Sequence, residues 1–174
     1  MILIHTALKH EAKPIIEYFK LQCIQTKPYK LYLKNDIILA VCGIGAQNTL
    51  HLKSVFQNYK IKKAINVGVA GCRDKTKKIG SIFTCKQKIS DFEFESLTSV
   101  DEALFSDENL KTTLVDMEAE TFLHLSQKFL DEDDIYILKI VSDYLDTTIP
   151  KKEFVWKIIE KNLTSISAIV TLKN

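Results

Sequence analysis

The sequence predicts an α/β fold in which a mostly parallel, mixed central sheet is flanked by helices. Apolar runs typical of strands alternate along the chain with segments whose apolar residues recur at helical spacing. This alternation favours a mostly parallel sheet covered by helices. The length of 174 residues matches one domain of roughly 100–200 residues, and 46% apolar residues can form one continuous core. No repeat or linker divides the chain, so we expect residues 1–174 to form a single domain.

The individual elements are predicted from local patterns. Asn35-Asp36 between two β-rich runs is typical of a hairpin turn, and Pro14 falls in the early turns of a helix, where its missing N–H costs least. The predicted strands lie at 2–7, 29–34, 35–42, 62–71, 79–89 and 135–142. The predicted helices lie at 9–20, 46–59, 117–130 and 150–170. The polar segment 90–113 has no clear periodicity and predicts only a short helix near 100–105.

The two internal helices each present an apolar side to the expected core. Helical spacing selects the residues of that side. They are Leu50, Val55 and Phe56 in the first of these helices, and Met117, Phe122, Leu125 and Phe129 in the second.

The charge balance excludes a protein that binds nucleic acid or membranes by bulk electrostatics. The chain has 24 basic and 22 acidic residues, a net charge of +2. Arg73 is the only arginine, so the side chain best suited to bidentate anion recognition is nearly absent.

The cysteines and the apolar runs favour a cytoplasmic location. Cys23, Cys42, Cys72 and Cys85 form no CxxC pair, and reduced thiols are expected. The N-terminal residues do not resemble a secretory signal, and no apolar run reaches the roughly 18–20 residues that span a bilayer.

Several motifs that bind cofactors or metals are absent from the sequence. CGIGAQN follows a strand and precedes a helix, but Asn48 occupies the third glycine position of a dinucleotide fingerprint. The four histidines lack the spacing of metal ligands, so neither a metal nor an organic cofactor is expected. The pairs Gly43/Gly45 and Gly68/Gly71 fit plain turns and close approach to a ligand equally well.

Three carboxylates remain at the ends of predicted elements. Glu11 follows the first strand, Glu118 lies in the first turn of a helix, and Asp143 follows the apolar strand IYILKIVS. Strand carboxyl ends are where α/β proteins bind ligands. Taken singly, each acid also fits a structural role, since acids are favoured at helix N-termini and Asp caps turns.

Five stretches together resemble the nucleoside phosphorylase/nucleosidase superfamily, most closely its methylthioadenosine/S-adenosylhomocysteine nucleosidases. They run in order from residue 2 to about residue 146, and VDMEAE and VSDYLD are the specific ones. The resemblance implies the three-layer sandwich of phosphorylases and hydrolases, and commonly a homodimer. The five stretches are ILIHTALKHEAKPI, CGIGAQNT, AINVGVAGCRDKTKKIGSIF, LVDMEAETFLHL and ILKIVSDYLD.

The resemblance also implies a role for each acid. Glu11 would position or deprotonate the attacking water, and Glu118 would bind the ribose hydroxyls with Met117 against the sugar. Asp143, with Ser142 beside it, would protonate N7 of the leaving purine. Backbone turns lining the pocket would be those at Gly45, Ala70 and Gly71.

The expected activity is cleavage of the N-ribosidic bond of a purine nucleoside or 5′-thionucleoside in purine salvage or a related pathway. Water is favoured over phosphate, because Val69 stands where many phosphorolytic relatives carry a hydroxyl and the first loop offers Lys9 and His10 but no arginine; Arg73, just beyond the turn, could still help to bind phosphate. Two alternatives stay open, a phosphorylase and a catalytically silent nucleoside-binding module. The middle of the chain, residues 89–115, is short for this family, and Phe92, Phe94 and Phe105 are its candidates for contacting the base.

Overall fold

The computed structural model describes residues 1–102, 104, 110–145 and 150–172. The strands are β1 (Ile2–Thr6), β2 (Gln22–Gln25), β3 (Lys30–Lys34), β4 (Ile37–Val41), β5 (Lys63–Cys72), β6 (Ile82–Thr84), β7 (Leu97–Ser99), β8 (Leu114–Asp116) and β9 (Ile135–Asp143). The helices are α1 (Lys9–Phe19), α2 (Ala46–Thr49), α3 (Leu52–Asn58), α4 (Ala119–Ser126), α5 (Lys152–Lys161) and α6 (Leu163–Thr171), with a 3-10 turn at Glu132–Asp134.

The strands form one mixed sheet with a parallel centre. β1 pairs in parallel with β4 and β5, and β5 pairs in parallel with β9. β2, β3 and β6 add antiparallel pairs, and β7 runs parallel to β8. A bulge between Ala70 and Gly71 shifts the register with β9 where β5 also pairs with β8. The predicted α/β class and the mostly parallel sheet are confirmed.

Helices cover both faces of this sheet, as a three-layer sandwich requires. β1, β5 and β9 alternate apolar residues between the two faces, so each face has its own buried cluster. One cluster packs under α1, α5 and α6, with Ile15, Ile65, Leu138, Ile159 and Ile166 among its members. The other packs under α3 and α4, with Leu3, Leu52, Phe122 and Ile137 among its members.

The helix predicted over residues 46–59 is divided into α2 and α3. The Thr49 hydroxyl donates to the Gly45 carbonyl at 3.0 Å, a backbone contact that bends helices. At the break, His51 and Lys53 donate backbone N–H groups to carbonyls three residues earlier. Leu50 lies in the turn between α2 and α3 and is 48% exposed, so its predicted place on the core side is wrong.

The helix predicted over residues 150–170 is likewise two helices. Asn162 separates α5 from α6, and its side chain donates to the carbonyls of Gly80 and Ile158. An Asn amide that binds backbone carbonyls in this way competes with the regular helical ladder. The predicted start at Pro150 shifts to Lys152.

The helix predicted over residues 117–130 covers only Ala119–Ser126, fewer residues than the spacing of its apolar side chains predicts. It begins at Ala119 because Asp116 accepts the N–H groups of Glu118 and Ala119, so Glu118 is the N-cap and not a first-turn residue. Phe129 lies beyond the helix and is 41% exposed, stacked on Phe56 with 4.9 Å between ring centroids, which corrects its predicted burial.

The remaining differences concern short extended segments. β2 was not predicted because polar and apolar residues alternate only weakly in QCIQ. In the structure this strand is largely exposed. β6 covers only Ile82–Thr84 of the strand predicted at 79–89. Residues 100–102 form no helix, and the rest of that predicted helix, except residue 104, lies outside the described residues. All four cysteines have free thiols, and no helix among the described residues is long and apolar enough to cross a membrane.

Candidate active site

A cavity of about 330 Å³ opens at the carboxyl ends of β1, β5 and β9. Seven of the eight predicted site residues line it, although they come from four separate parts of the chain. These seven are Glu11, Ala70, Gly71, Met117, Glu118, Ser142 and Asp143. The eighth, Gly45, is not a lining residue, but its N–H donates to Glu118 Oε1 at 2.7 Å.

Glu11 is held at the floor of this cavity by the start of α1. Its Oε2 accepts the Leu8 N–H at 2.8 Å and its Oε1 accepts the Val69 N–H at 3.1 Å, which links α1 to the central strand β5. Burial raises the pKa of Glu11 to about 7, although both N–H groups and Lys139 oppose the rise. A carboxyl group with this pKa can gain and lose a proton near neutral pH.

Gly68 keeps the space beside Glu11 open. A Cβ at this position would lie 3.2 Å from Glu11 Oε1 and 3.4 Å from Lys139 Nζ. A side chain there would therefore press on both charged groups. Gly68 lies inside β5 and not in a turn, and its close approach to a ligand stays a prediction.

Glu118 sits at the N-terminus of α4, opposite the Gly43–Gly45 turn. The backbone of Gly45 has φ 90° and ψ 168°, a conformation restricted to glycine, and this turn aims the Gly45 N–H at Glu118. Burial raises the pKa of Glu118, while Lys139 and the Gly45 N–H lower it. Met117 precedes Glu118 in the lining of the cavity.

Asp143 is the last residue of β9 and both of its oxygens are oriented by neighbours. Ser142 Oγ donates to Oδ2 at 2.6 Å, and the Leu145 N–H donates to Oδ1 at 3.0 Å. Ser142 Oγ also lies 3.3 Å from the Ala70 carbonyl of β5. The carboxyl group therefore has a defined direction relative to the sheet. Its surroundings in the cavity include the apolar side chains Val100, Val115 and Leu145.

A buried ion pair beneath the cavity was missed by sequence analysis. Lys139 Nζ lies 2.6 Å from Asp116 Oδ2, and each side chain is only 1% exposed. Burial lowers the pKa of Lys139, but the nearby carboxyl groups of Asp116, Glu118 and Glu11 raise it by more. The pKa is therefore raised overall, and the lysine stays charged. The signal was available, because Lys139 is a charged residue inside the otherwise apolar strand IYILKIVS.

Basic side chains occupy one wall of the cavity, and Arg73 is not among them. His10 at the start of α1 and Lys152 at the start of α5 line this wall together with Leu8, Pro150 and Val155. The guanidinium of Arg73 instead donates to the Leu110 carbonyl, which ties the chain after β5 to the segment before β8. Of the predicted base-contacting aromatics, Phe92 packs on the core, Phe94 is 39% exposed, and Phe105 lies outside the described residues.

Comparison with solved structures identifies the fold. No protein-family model matches the chain, and no curated protein matches it. Futalosine hydrolase of Helicobacter pylori, in a mutant form, matches with a TM-score of 0.81 at 19% identity, over 97% of each chain. The chain has the nucleosidase fold.

Two further nucleosidase-fold structures support the same assignment. The 5′-methylthioadenosine/S-adenosylhomocysteine nucleosidase of Neisseria meningitidis, in complex with methylthio-immucillin-A, has a TM-score of 0.81 at 16% identity, over 97% of each chain. The corresponding Helicobacter pylori nucleosidase, with butyl-thio-DADMe-Immucillin-A, has a TM-score of 0.80 at 19% identity, again over 97% of each chain. The resemblance noted from five sequence stretches is thus matched by a nucleosidase fold over 97% of the chain.

Proposed function

We propose that the protein hydrolyses the N-ribosidic bond of a purine nucleoside or 5′-thionucleoside and releases the free base. One observation carries this proposal. Glu11, Glu118 and Asp143 come from three elements, line one cavity, and do so in a nucleosidase fold. The solved nucleosidases that share the fold include methylthioadenosine/S-adenosylhomocysteine nucleosidases and a futalosine hydrolase.

The chemistry requires a proton donor at the base and a negative charge near the sugar. Breaking the bond between C1′ and the base nitrogen leaves the electron pair on the base and positive charge on the sugar. Asp143 gives its proton to N7 of the purine, which neutralises the departing base. Glu118 accepts the ribose hydroxyls and places negative charge near the sugar. Such charges aimed at the transition state are effective because the site is partly buried.

Glu11 is suited to activate water on the other side of C1′. Its carboxylate takes a proton as the water oxygen bonds to C1′, so one hydroxyl is added to the sugar and one proton to Glu11. Glu11 lines the cavity, so a water bound there can reach its carboxylate. The Lys139 ammonium also lies close to this carboxylate, because both groups border the backbone of Gly68.

Water is preferred over phosphate as the nucleophile because the sole arginine is engaged elsewhere. Arg73 binds the Leu110 carbonyl and is not part of the cavity lining. Bidentate arginine contacts are the strongest way to hold a phosphate dianion. Lys139, the cation nearest Glu11, is already paired with Asp116.

A product assay tests the proposal directly. The purified protein is incubated with methylthioadenosine, S-adenosylhomocysteine, adenosine, inosine, guanosine and uridine, with and without phosphate, and free base is followed by chromatography. Equal release in both buffers is expected. Release only with phosphate would identify a phosphorylase, and a nucleoside that raises the melting temperature without being consumed would identify a silent binding module.

The acidic side of the pH profile is expected to report Glu11. Because its pKa is raised to about 7, the ionised base form is lost as the pH falls below that value. We expect log kcat/KM to rise with slope one up to about pH 7 and then to level off. Initial rates at low substrate between pH 5 and 8 measure this. A profile that stays flat down to pH 5 would remove Glu11 as the base.

Glu118→Gln is expected to weaken ribose recognition. Hydrogen bonds to a charged group contribute about 1.5–3 kcal/mol, so kcat/KM for the ribonucleoside should fall roughly 10- to 100-fold. The 2′-deoxynucleoside, which lacks one hydroxyl, should lose less. Glu120→Gln in the exposed first turn of α4 is the control and should change neither rate more than about twofold. An unchanged preference for ribose over deoxyribose in Glu118→Gln would contradict the assignment.

A homodimer and a cytoplasmic location remain part of the proposal, and both rest on the sequence resemblance and composition. Light scattering coupled to gel filtration measures the first. A mass of one 19.9 kDa chain would contradict it.

A further inference from the structure

We propose that Leu145 and Arg73 are positioning residues, which hold the carboxyl group of Asp143 in the direction it needs to protonate the leaving base. The inference rests on the proposed nucleosidase function, in which Asp143 is the acid, and it adds two residues to that function. It concerns the end of β9 and the segment before β8 that packs against it. Asp143 is the only one of the three that exchanges a proton with the substrate.

Leu145 has a backbone conformation that is unfavourable for a leucine. Its φ of 59° lies in the left-handed region, where the Cβ of any residue other than glycine is crowded by the following carbonyl oxygen. Leucine has no short polar side chain that could stabilise this conformation locally. Such conformations persist only where surrounding contacts enforce them, and they concentrate at functional sites. The contacts of Leu145 must therefore compensate for its backbone.

This conformation lets Leu145 orient Asp143 and pack in the interior at the same time. Its N–H donates to Asp143 Oδ1 at 3.0 Å, while Ser142 Oγ donates to Oδ2 at 2.6 Å. With one donor on each oxygen, the plane of the carboxyl group is fixed. The φ angle of a residue sets the direction of its side chain relative to its N–H. The left-handed value therefore allows the N–H to face Asp143 while the side chain is buried.

Side-chain packing supplies the compensation. Leu145 forms one buried apolar cluster with Leu110 and Val115. Gly71 in β5 makes room for this arrangement, because a Cβ there would lie 2.5 Å from Leu145 Cδ2 and 3.2 Å from Asp143 Oδ1. Leu145 and Asp143 thus lie together against the backbone of Gly71. A shift of the Leu145 side chain would move the N–H that orients the acid.

Arg73 fixes the other side of this cluster. Its guanidinium donates to the Leu110 carbonyl, and its backbone N–H donates to the Thr113 carbonyl at 3.0 Å. Because Arg73 directly follows β5, both ends of the segment 110–113 are tied to the central strand. Leu110 is thereby held where its side chain belongs to the cluster of Leu145. The sole arginine of the chain therefore acts on Asp143 through Leu110 and Leu145.

A pair of substitutions at Leu145 separates this positioning role from a role as cavity wall. Leu145→Ala removes the packing but keeps the unfavourable backbone, so kcat should fall by about tenfold or more. Leu145→Gly removes more of the side chain, yet glycine adopts the left-handed region readily, so its kcat should be at least about threefold higher than that of Leu145→Ala. A residue that only lined the cavity would make the glycine variant no better than the alanine variant, and that result would overturn the positioning role of Leu145.

The same pair has a second readout in the melting temperature. Leu145→Gly should melt no lower than Leu145→Ala, although glycine ordinarily loses more conformational freedom on folding. Leu50 is the control, because it is exposed and has a right-handed φ of −61°. Leu50→Gly should melt below Leu50→Ala. The same order at Leu145 as at Leu50 would show that the Leu145 backbone is not strained and would count against the proposal.

Substitutions of Arg73 test the remote part of the chain of contacts. Arg73→Met should lower kcat about threefold or more and leave KM within about twofold, and Arg73→Lys, which keeps a donor for the Leu110 carbonyl, should recover part of the loss. Lys75→Met removes a charge two residues away at an exposed position and should keep kcat within about twofold. An equal loss in Lys75→Met, or a loss confined to assays with inorganic phosphate, would overturn the role of Arg73.

Amide hydrogen exchange of residue 145, followed by NMR, tests the same contacts without catalysis. The protection factor of the Leu145 N–H should be at least about tenfold higher in the wild type than in Leu145→Ala and Arg73→Met, because both variants free it from Asp143. Equal protection factors in the three proteins would overturn the proposal. If no nucleoside releases its base, the proposed function fails, and the protection factors still decide whether Arg73 and Leu145 hold Asp143.

Discussion

Asp143→Asn is expected to lower kcat for base release by about 10²–10⁴-fold, the usual contribution of a general acid. The amide that replaces the carboxyl group cannot deliver a proton to N7, while its size and shape are nearly the same. Its oxygen can still accept the Leu145 N–H, and the Ser142 hydroxyl can rotate to accept from the amide. The fold and nucleoside binding should therefore persist, so the loss should appear in kcat rather than KM.

Single-turnover rates and binding calorimetry separate these two quantities. Asp91→Asn, an exposed position outside the cavity lining, is the matched control and should keep kcat within about twofold. Retention of most of the activity by Asp143→Asn would remove Asp143 as the acid.

Lys139→Met is expected to lower the free energy of unfolding by about 3–5 kcal/mol. The substitution leaves the Asp116 carboxylate buried without its cation, and both side chains of this pair are only 1% exposed. The N–H groups of Glu118 and Ala119 still bind Asp116, which favours the lower end of that range. Urea unfolding followed by circular dichroism measures the change.

A matched control distinguishes this buried pair from a surface pair. Lys13→Met breaks the exposed ion pair with Glu17 and should cost no more than about 0.5 kcal/mol. The double variant Asp116→Asn/Lys139→Met removes both charges of this pair and should recover part of the stability lost in Lys139→Met. Equal stability losses in Lys139→Met and Lys13→Met would show that the buried pair contributes no more to the free energy of unfolding than the exposed pair.

Lys139→Met also has a consequence for the pH profile if the protein remains folded. Lys139 lowers the pKa of both Glu11 and Glu118, so its removal should raise these pKa values further. The acidic limb of kcat/KM would then move to higher pH. Lys139→Arg, which keeps the charge, should leave the limb near its original position. A purely structural role of Lys139 would change stability without moving the limb.

The positions of the three carboxylates are predictable because each is attached to the end of a strongly patterned element. Asp143 follows an apolar strand, and Glu11 and Glu118 stand at the starts of amphipathic helices. Strand ends in a parallel sheet meet at one edge, so the three acids converge once the order of elements is known. Their proposed chemical roles came from the family resemblance and await the experiments above.

The sites that sequence analysis missed involve partners on different elements. Asp116 looks like an ordinary residue before a helix, and nothing local connects it with Lys139. Likewise, His10 and Lys152 belong to helices at opposite ends of the chain and line one cavity only because α1 and α5 cover the same sheet face. Leu50 and Phe129 were predicted to be buried but are exposed, since the spacing of apolar residues cannot report where a helix is interrupted or ends.

By itself the sequence determined the alternation of strands and helices, the hairpin at Asn35-Asp36, and the element ends that carry the acids. These follow from interactions between near neighbours, namely side-chain periodicity, turn preferences and helix starts. Only the tertiary structure decided that Arg73 is engaged at Leu110, that Lys139 lies beneath the cavity, and that one wall is basic. The reason is physical, because the energy of a charge depends on its burial and on partners brought close by the fold.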